Sequence, residues 1–172
     1  VTQSEYARIM GRNPSSFQGD RHPVEQVSWE DATEFIQKLN GLPEERAAGR
    51  VYRLPTESEW EYACRAGSSR AYCFGEDEAR LGEYAWYGAN SGSKTHPVGQ
   101  KAPNAWGLYD IHGNVWEWCS DWYGDYPSGS VTDPTGASTG SGRVFRGGGW
   151  DFEAADCRSA DRLRGVPSNR DY

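Results

Sequence analysis

Trp106–Trp118 reads WGLYDIHGNVWEW. Its second half brings large aromatics to alternate positions, Trp116 and Trp118, and Trp122 follows at even spacing. That is the period-two pattern of a half-buried strand, expected over Val115–Trp118. Its first half carries Gly107 and Gly113, and two carboxylates, Asp110 and Glu117, lie seven residues apart with a Gly-bearing turn between them. A short strand of indole rings entered from a polar turn describes an α+β domain with little regular structure.

The rest of the composition agrees. The 172 residues hold 8 Trp and 10 Tyr but also 21 Gly and 9 Pro, at a mean hydropathy of −0.85. A polar, loop-rich chain can still fill a core with aromatics, each burying a large area. The length suits one domain over residues 1–172, big enough to fold without staples. A net charge of −7 and a pI near 5 argue against a nucleic-acid partner, because phosphate backbones are held by Lys and Arg. The local exception is the tail, with Arg158, Arg162, Arg164 and Arg170. No apolar run reaches membrane-spanning length and no signal peptide is visible. The chain opens at Val1 without a Met, so a processed or trimmed start is expected. Cys64, Cys73, Cys119 and Cys157 form no C-x-x-C, which weakens a zinc or redox-motif reading. Their even number permits two disulfides in an oxidising compartment, but a chain of this length does not need them. The compartment stays open.

Three helices announce themselves by capping-box spacing. Thr2 with Glu5 precedes Tyr6, Ile9 and Met10; Ser28 with Asp31 precedes Ala32, Phe35, Ile36 and Leu39; Thr56 with Glu59 precedes Trp60 and Ala63. The main helices are expected over Ser28–Asn40 and Thr56–Arg65, ended by Gly41 and Gly67. Further short strands are expected at Val51–Leu54, His96–Gly99 and Arg143–Arg146. Long irregular stretches separate them, notably Gly67–Lys94 and Asp125–Gly142. The second would pass for a disordered linker on composition, but inside a compact domain such loops are uncommon and usually functional.

Arg53–Tyr62 (RLPTESEWEY), Trp106–Trp118 and Arg143–Trp150 (RVFRGGGW), with Gly11–Phe17 (GRNPSSF) and Pro23–Trp29 (PVEQVSW), stand in one order along the chain. Together they resemble the sulfatase-modifying-factor, or formylglycine-generating-enzyme-like, family across nearly the whole sequence. The resemblance implies a C-type-lectin-like fold. It also implies a strand before Val1 and a Gly-Phe-Arg strand beyond Tyr172, so the sequence is expected to be a piece of a longer chain.

On spacing alone Asp110 reads as a turn cap and Glu117 as a solvated strand residue. The resemblance implies a structural calcium site instead, using the side chains of Asp110 and Glu117 and the carbonyls of Gly113 and Val115. A hard cation wants such oxygens. His112 reads as a packing or hydrogen-bonding residue. The family's oxidative chemistry rests on copper held by two cysteines five residues apart, after a turn that here is Gly147–Trp150. The second position falls on Cys157 and the first on Phe152, which cannot ligate copper, so copper is not expected. Cys157 then reads as a small buried hydrophobe or as half of a disulfide with Cys119; in an oxidase it would be the catalytic thiol.

The tail Gly147–Tyr172 alternates a fixed-looking skeleton (GGGW, CRSA, PSNR) with scattered chemistry at Asp151, Phe152, Asp156, Asp161, Leu163, Gly165, Val166, Asp171 and Tyr172. It resembles the variable segment of diversity-generating-retroelement proteins, in which Asn codons at surface sites are randomised; each of these residues is reachable from an Asn codon through its first two bases. An ordinary surface loop rich in Arg and Asp has the same look. Three functions follow. The first is a non-catalytic module binding a protein or small molecule through Trp150, Asp151, Phe152, Asp156, Asp161, Leu163, Arg164 and Tyr172, with Trp86, Tyr87 and Arg162 beside them. The others are a copper-dependent formylglycine-generating oxidase and an accessory domain of a larger enzyme or kinase. The first expects Phe152, Asp161, Leu163 and Tyr172 to be at least partly exposed on one face, with Trp150 nearby.

Overall fold

A computed structural model describes residues 1–170. Thr2, Ser28 and Thr56 each accept a hydrogen bond from the backbone N–H three residues on. Glu5, Asp31 and Glu59 accept in turn from the cap's own N–H. These three capping boxes start α1 (Gln3–Met10), α2 (Trp29–Gly41) and α4 (Glu57–Arg65). Two of the expected stops move by one residue. Gly41 is the last helical residue of α2, and Leu42 turns extended before Pro43, as a residue preceding proline prefers. Ala66, not Gly67, takes the left-handed cap of α4, at φ 45°. Pro43 opens a short α3 (Pro43–Ala47), and the stretch 67–94 holds α5 (Leu81–Tyr84).

Three strands, β1 (Glu117–Trp122), β2 (Arg143–Arg146) and β3 (Leu163–Gly165), form an antiparallel sheet in the order β1-β2-β3. β2 has the expected bounds. β1 begins two residues later than expected, because Asn114 is left-handed at φ 64° and its backbone is engaged elsewhere: its N–H donates to the Trp86 carbonyl at 2.7 Å and its carbonyl accepts from Trp150 N at 3.0 Å. Val51–Leu54 and His96–Gly99 are not strands. In each an asparagine side chain does the work of a partner strand. Asn40 bonds both the N–H and the carbonyl of Tyr52, each at 2.8 Å; Asn114 does the same for His96, each at 3.1 Å.

Two buried clusters flank the sheet. Trp60, Cys64, Cys119 and Val144 form one, and Tyr72, Leu81, Ala85, Ala154 and Cys157 the other. The Phe145 ring meets Trp116 and Trp118 edge-on at 5.1 and 5.2 Å. Arg146 is fully buried and ties β2 to α4 through Glu61 and through Glu57 at 3.3 Å. The Gly-rich stretch 125–142 is no linker. The Ser58 hydroxyl donates to the Pro134 carbonyl at 3.1 Å, and a Cβ on Gly136 would come within 2.7 Å of Asp121 Cβ, so the loop lies flat on α4 and β1. No helix among the described residues is long and apolar enough to cross a membrane.

Candidate functional site

The segments 86–91, 112–114 and 147–152 meet without forming a sheet. Gly113 N donates to the Gly147 carbonyl at 2.7 Å, Gly88 N to Phe152 at 2.8 Å, and the Ser91 hydroxyl to Trp150 at 2.6 Å. Gly113 can only be glycine: its φ is +77°, and a Cβ would stand 2.3 Å from the Trp86 carbonyl oxygen. Asn114 is the hub, and no local pattern in the sequence marks it. His112 is 1% exposed. Its Nδ1 lies 2.7 Å from the Cys157 carbonyl, which only accepts, while its Nε2 receives the Cys73 N–H at 3.2 Å. The ring is therefore the neutral Nδ1–H tautomer, and burial pushes its pKa down to about 4. It bonds the chain together, as expected of it.

Asp110 and Glu117 line one cleft, together with Val115 and Asn114. Asp110 accepts from Gly99 N at 2.7 Å, and Glu117 accepts from the Trp60 indole N–H at 2.6 Å. Burial raises both carboxyl pKa values, and the nearby Asp110 adds to the rise at Glu117. Two carboxylates beside a left-handed glycine turn, with Asp110 disfavouring the charged form of Glu117, are oxygen donors of the kind a hard cation takes. No cluster of three or more His, Cys, Asp or Glu occurs among the described residues; of the two residues whose carbonyls the resemblance adds, Val115 lines this cleft and Gly113 is not among its lining residues.

The thiols present the opposite picture. All four cysteines are free. Cys157 is fully buried, and burial pushes its thiol up to about 12. It lies in the cluster with Tyr72 and Leu81, whereas Cys119 lies in the one with Trp60, so the two do not pair. The position five residues before Cys157 is filled by the Phe152 ring, perpendicular to Trp116 at 5.1 Å. These side chains do not form a two-thiolate set for copper.

The tail residues do not share one face as expected but divide into two groups, because Asp151 and Phe152 pack beside Tyr87 and Gly88 while Leu163 and Arg164 are drawn into a strand beside β2. Trp150 is half-buried, edge-on to Phe17 at 5.2 Å. Half-buried Phe152 and exposed Asp151 line a pocket of about 350 Å³ with Tyr87 and Gly88. Trp86 stacks on His96 at 3.7 Å and carries Lys101 Nζ 3.8 Å over its ring. Asp156 caps its own turn, accepting from Glu153 N at 3.0 Å. The second group surrounds β3. Leu163 is 39% exposed and pairs with Phe145, while Arg164 pairs with Val144 and so faces the other way. The Arg164 guanidinium lies 5.3 Å from the Tyr123 ring centre. Asp161 is half-buried; burial raises its pKa, and its Oδ2 has no hydrogen-bond partner among the described residues. Tyr172 and Asp171 lie outside the described residues.

This arrangement has known counterparts. Residues 1–171 match the family model described as the sulfatase-modifying factor enzyme 1-like domain. The chain belongs to that family. It is 39% identical over 165 residues to a formylglycine-generating enzyme of Streptomyces coelicolor, covering 86% of this chain and 49% of that protein. It thus spans about half the length of that relative. Among solved structures, Treponema denticola variable protein 1 superposes with a TM-score of 0.90 at 36% identity, covering 99% of this chain and 78% of the other. PvdO from Pseudomonas aeruginosa follows it at 0.80 and 30%, covering 99% and 73%. The fold is the C-type-lectin-like, formylglycine-generating-enzyme-like α+β fold expected from the sequence, and one neighbour is a variable protein, the class the tail resembles.

Proposed function

We propose that this domain is a non-catalytic recognition module that holds a protein or small-molecule ligand on its C-terminal face. The occupied position of the first family cysteine carries the reading: Phe152 stands there, packed on Trp116. Copper-dependent oxidation of a peptide cysteine needs paired thiolates, and a Cys157 thiol with a pKa of about 12 is ionised in roughly one molecule in 10⁵ at neutral pH. The likeness to a variable protein along 99% of the chain supports the same reading. Rigid aromatics such as Trp150 and Phe152 among adaptable polar neighbours lose little entropy on binding.

The identity to the Streptomyces enzyme favours the competing reading, a formylglycine-generating oxidase, so the test is chosen to divide them. Reduced protein is incubated with stoichiometric Cu(I), oxygen and a Cys-x-Pro-x-Arg peptide, the substrate motif of the family's enzymes, and the peptide is analysed by mass spectrometry. The expected outcome is unchanged peptide and no tight Cu(I) retention. Aldehyde product that disappears in Cys157→Ser would overturn the recognition reading.

A further inference from the structure

Trp29, Thr33 and Ile36 recur along α2 at the spacing that puts side chains on one helical face. That face borders a cleft of about 510 Å³, within the size range of small-ligand sites. Its other walls are Leu54, Ser58 of α4, Ser120 of β1, and Asp133 and Thr135 of the 125–142 loop. The cleft shares no lining residue with the pocket at Phe152, and neither Asp110 nor Glu117 borders it. The indole of Trp29 is fixed in place. Its Nε1–H donates to the Cys119 carbonyl at 2.9 Å. The Arg143 guanidinium lies 4.0 Å from its ring centre and 3.6 Å from that of Trp122, and donates to the Ser120 carbonyl at 2.7 Å. Arg143 does not line the cleft, so Trp29 gives the cleft the part of its ring that Arg143 leaves open. With Ile36 and Leu54 it makes a rigid apolar platform among polar side chains.

The polar lining is rich in acceptors and short of donors. The hydroxyl protons of Thr33, Ser58 and Ser120 are committed, to the Trp29 carbonyl at 2.9 Å, the Pro134 carbonyl at 3.1 Å and the Asp121 carboxylate at 3.0 Å. What these hydroxyls keep is lone-pair capacity. Asp133 adds an exposed carboxylate with neither a hydrogen bond nor an ion pair among the described residues. Arg53 is the one cation in the lining, and it is committed to both oxygens of Glu59 at 2.6 and 2.7 Å. An anion therefore finds no free charge here. The ligand matched to this lining is neutral, brings several O–H donors and has an apolar face to set against an indole. A pyranose ring has that form, with hydroxyls around its rim and C–H bonds directed at the electron-rich face of the aromatic ring. The loop's attachment to Ser58 and its close approach to Asp121 hold the walls in place, so little ordering is needed on binding.

We propose that this cleft is a second binding site, for a saccharide, with one pyranose ring against Trp29 and its hydroxyls donating to Asp133, Ser58 and Ser120. The inference is independent of the recognition face at Phe152 and of calcium, and its failure leaves the copper result untouched. The test is a titration of ¹⁵N-labelled protein, in chelator, with the methyl glycosides of β-glucose, β-galactose and α-mannose. It is read from the Trp29 indole N–H and the backbone resonances. At least one glycoside is expected to give saturable shifts at Trp29, Ser58, Ser120 and Thr135. Sorbitol, which has the hydroxyls without the ring, should bind about tenfold or more weaker. Asp133 is left-handed at φ 46°, a conformation that Asn also tolerates. Asp133→Asn should therefore keep the loop and weaken the glycoside about threefold or more, as a charge-assisted bond becomes neutral. Glu34→Gln, at an exposed position of α2 outside the lining, should leave binding unchanged. No saturable shift with any of the three glycosides, equal binding of sorbitol, or no effect of Asp133→Asn would overturn the proposal. Tighter binding of ethanolamine than of every glycoside would also overturn it and make the cleft a site for amines.

Discussion

His112 shows what one side chain can decide. Its ring bridges the Cys157 carbonyl and the Cys73 N–H as the neutral tautomer, and burial holds its pKa near 4 against about 6.5 in an unfolded chain. Between those values the unfolded state binds a proton that the folded state refuses. Stability from this source is therefore complete above about pH 6.5 and is lost as pH falls toward 4, by on the order of 3 kcal/mol. Urea unfolding at pH 7.5 and pH 5 should show a larger loss in the native protein than in His112→Gln; equal losses would show that this ring does not titrate as described. The role of His112 was readable in the sequence, since a lone His lacks a ligand set. Asn114 and Asn40 were not, because each bonds backbone 18 and 12 residues away, and no local periodicity marks such a contact.

Among the elements, α4 carries the most distinct roles. Its capping box was visible as Thr56 and Glu59, so its start needed no structure to find. What its inner face meets was hidden, because Glu57 and Glu61 pair with Arg146 and Arg162, up to 105 residues away. β3 was missed for a related reason: Leu163–Gly165 is three residues long, too short for alternation to register, and it is a strand only because β2 lies beside it. Paired residues of α4 should differ sharply in importance. Removing the fully buried Arg146 leaves Glu61 beside an apolar core with only the half-exposed Arg65, so Arg146→Met should cost about 3 kcal/mol or more. Arg53 pairs with Glu59 in solvent at 2.6 Å, and Arg53→Ala should cost far less, since water screens the pair. Chemical denaturation of both variants measures the difference. Similar costs would mean that burial of the Arg146 network adds nothing to its value.

At the scale of the whole chain, Trp86 and the glycine-rich turn 147–150 converge on Gly113 and Asn114, just ahead of β1. Asp110 and Glu117 bracket that junction, and burial disfavours the charged form of each. If calcium occupies the side chains of Asp110 and Glu117 with the carbonyls of Gly113 and Val115, it binds only when the junction is formed, because the unfolded chain does not bring these oxygens together. Binding restricted to the folded state stabilises it by mass action, about 2.7 kcal/mol at a hundredfold excess over the dissociation constant. For a chain of this length that corresponds to a rise in melting temperature of roughly 5–10 °C. Calorimetry with calcium and with a chelator reads this directly. Glu117→Gln is the discriminating variant, since its amide oxygen can still accept the Trp60 indole N–H while the charge is gone. It should melt at one temperature in both buffers. A native protein whose melting temperature ignores calcium would reduce Asp110 and Glu117 to a turn cap and a strand residue, and the junction would then be held by the bonds of Gly113, Asn114 and the segments around them.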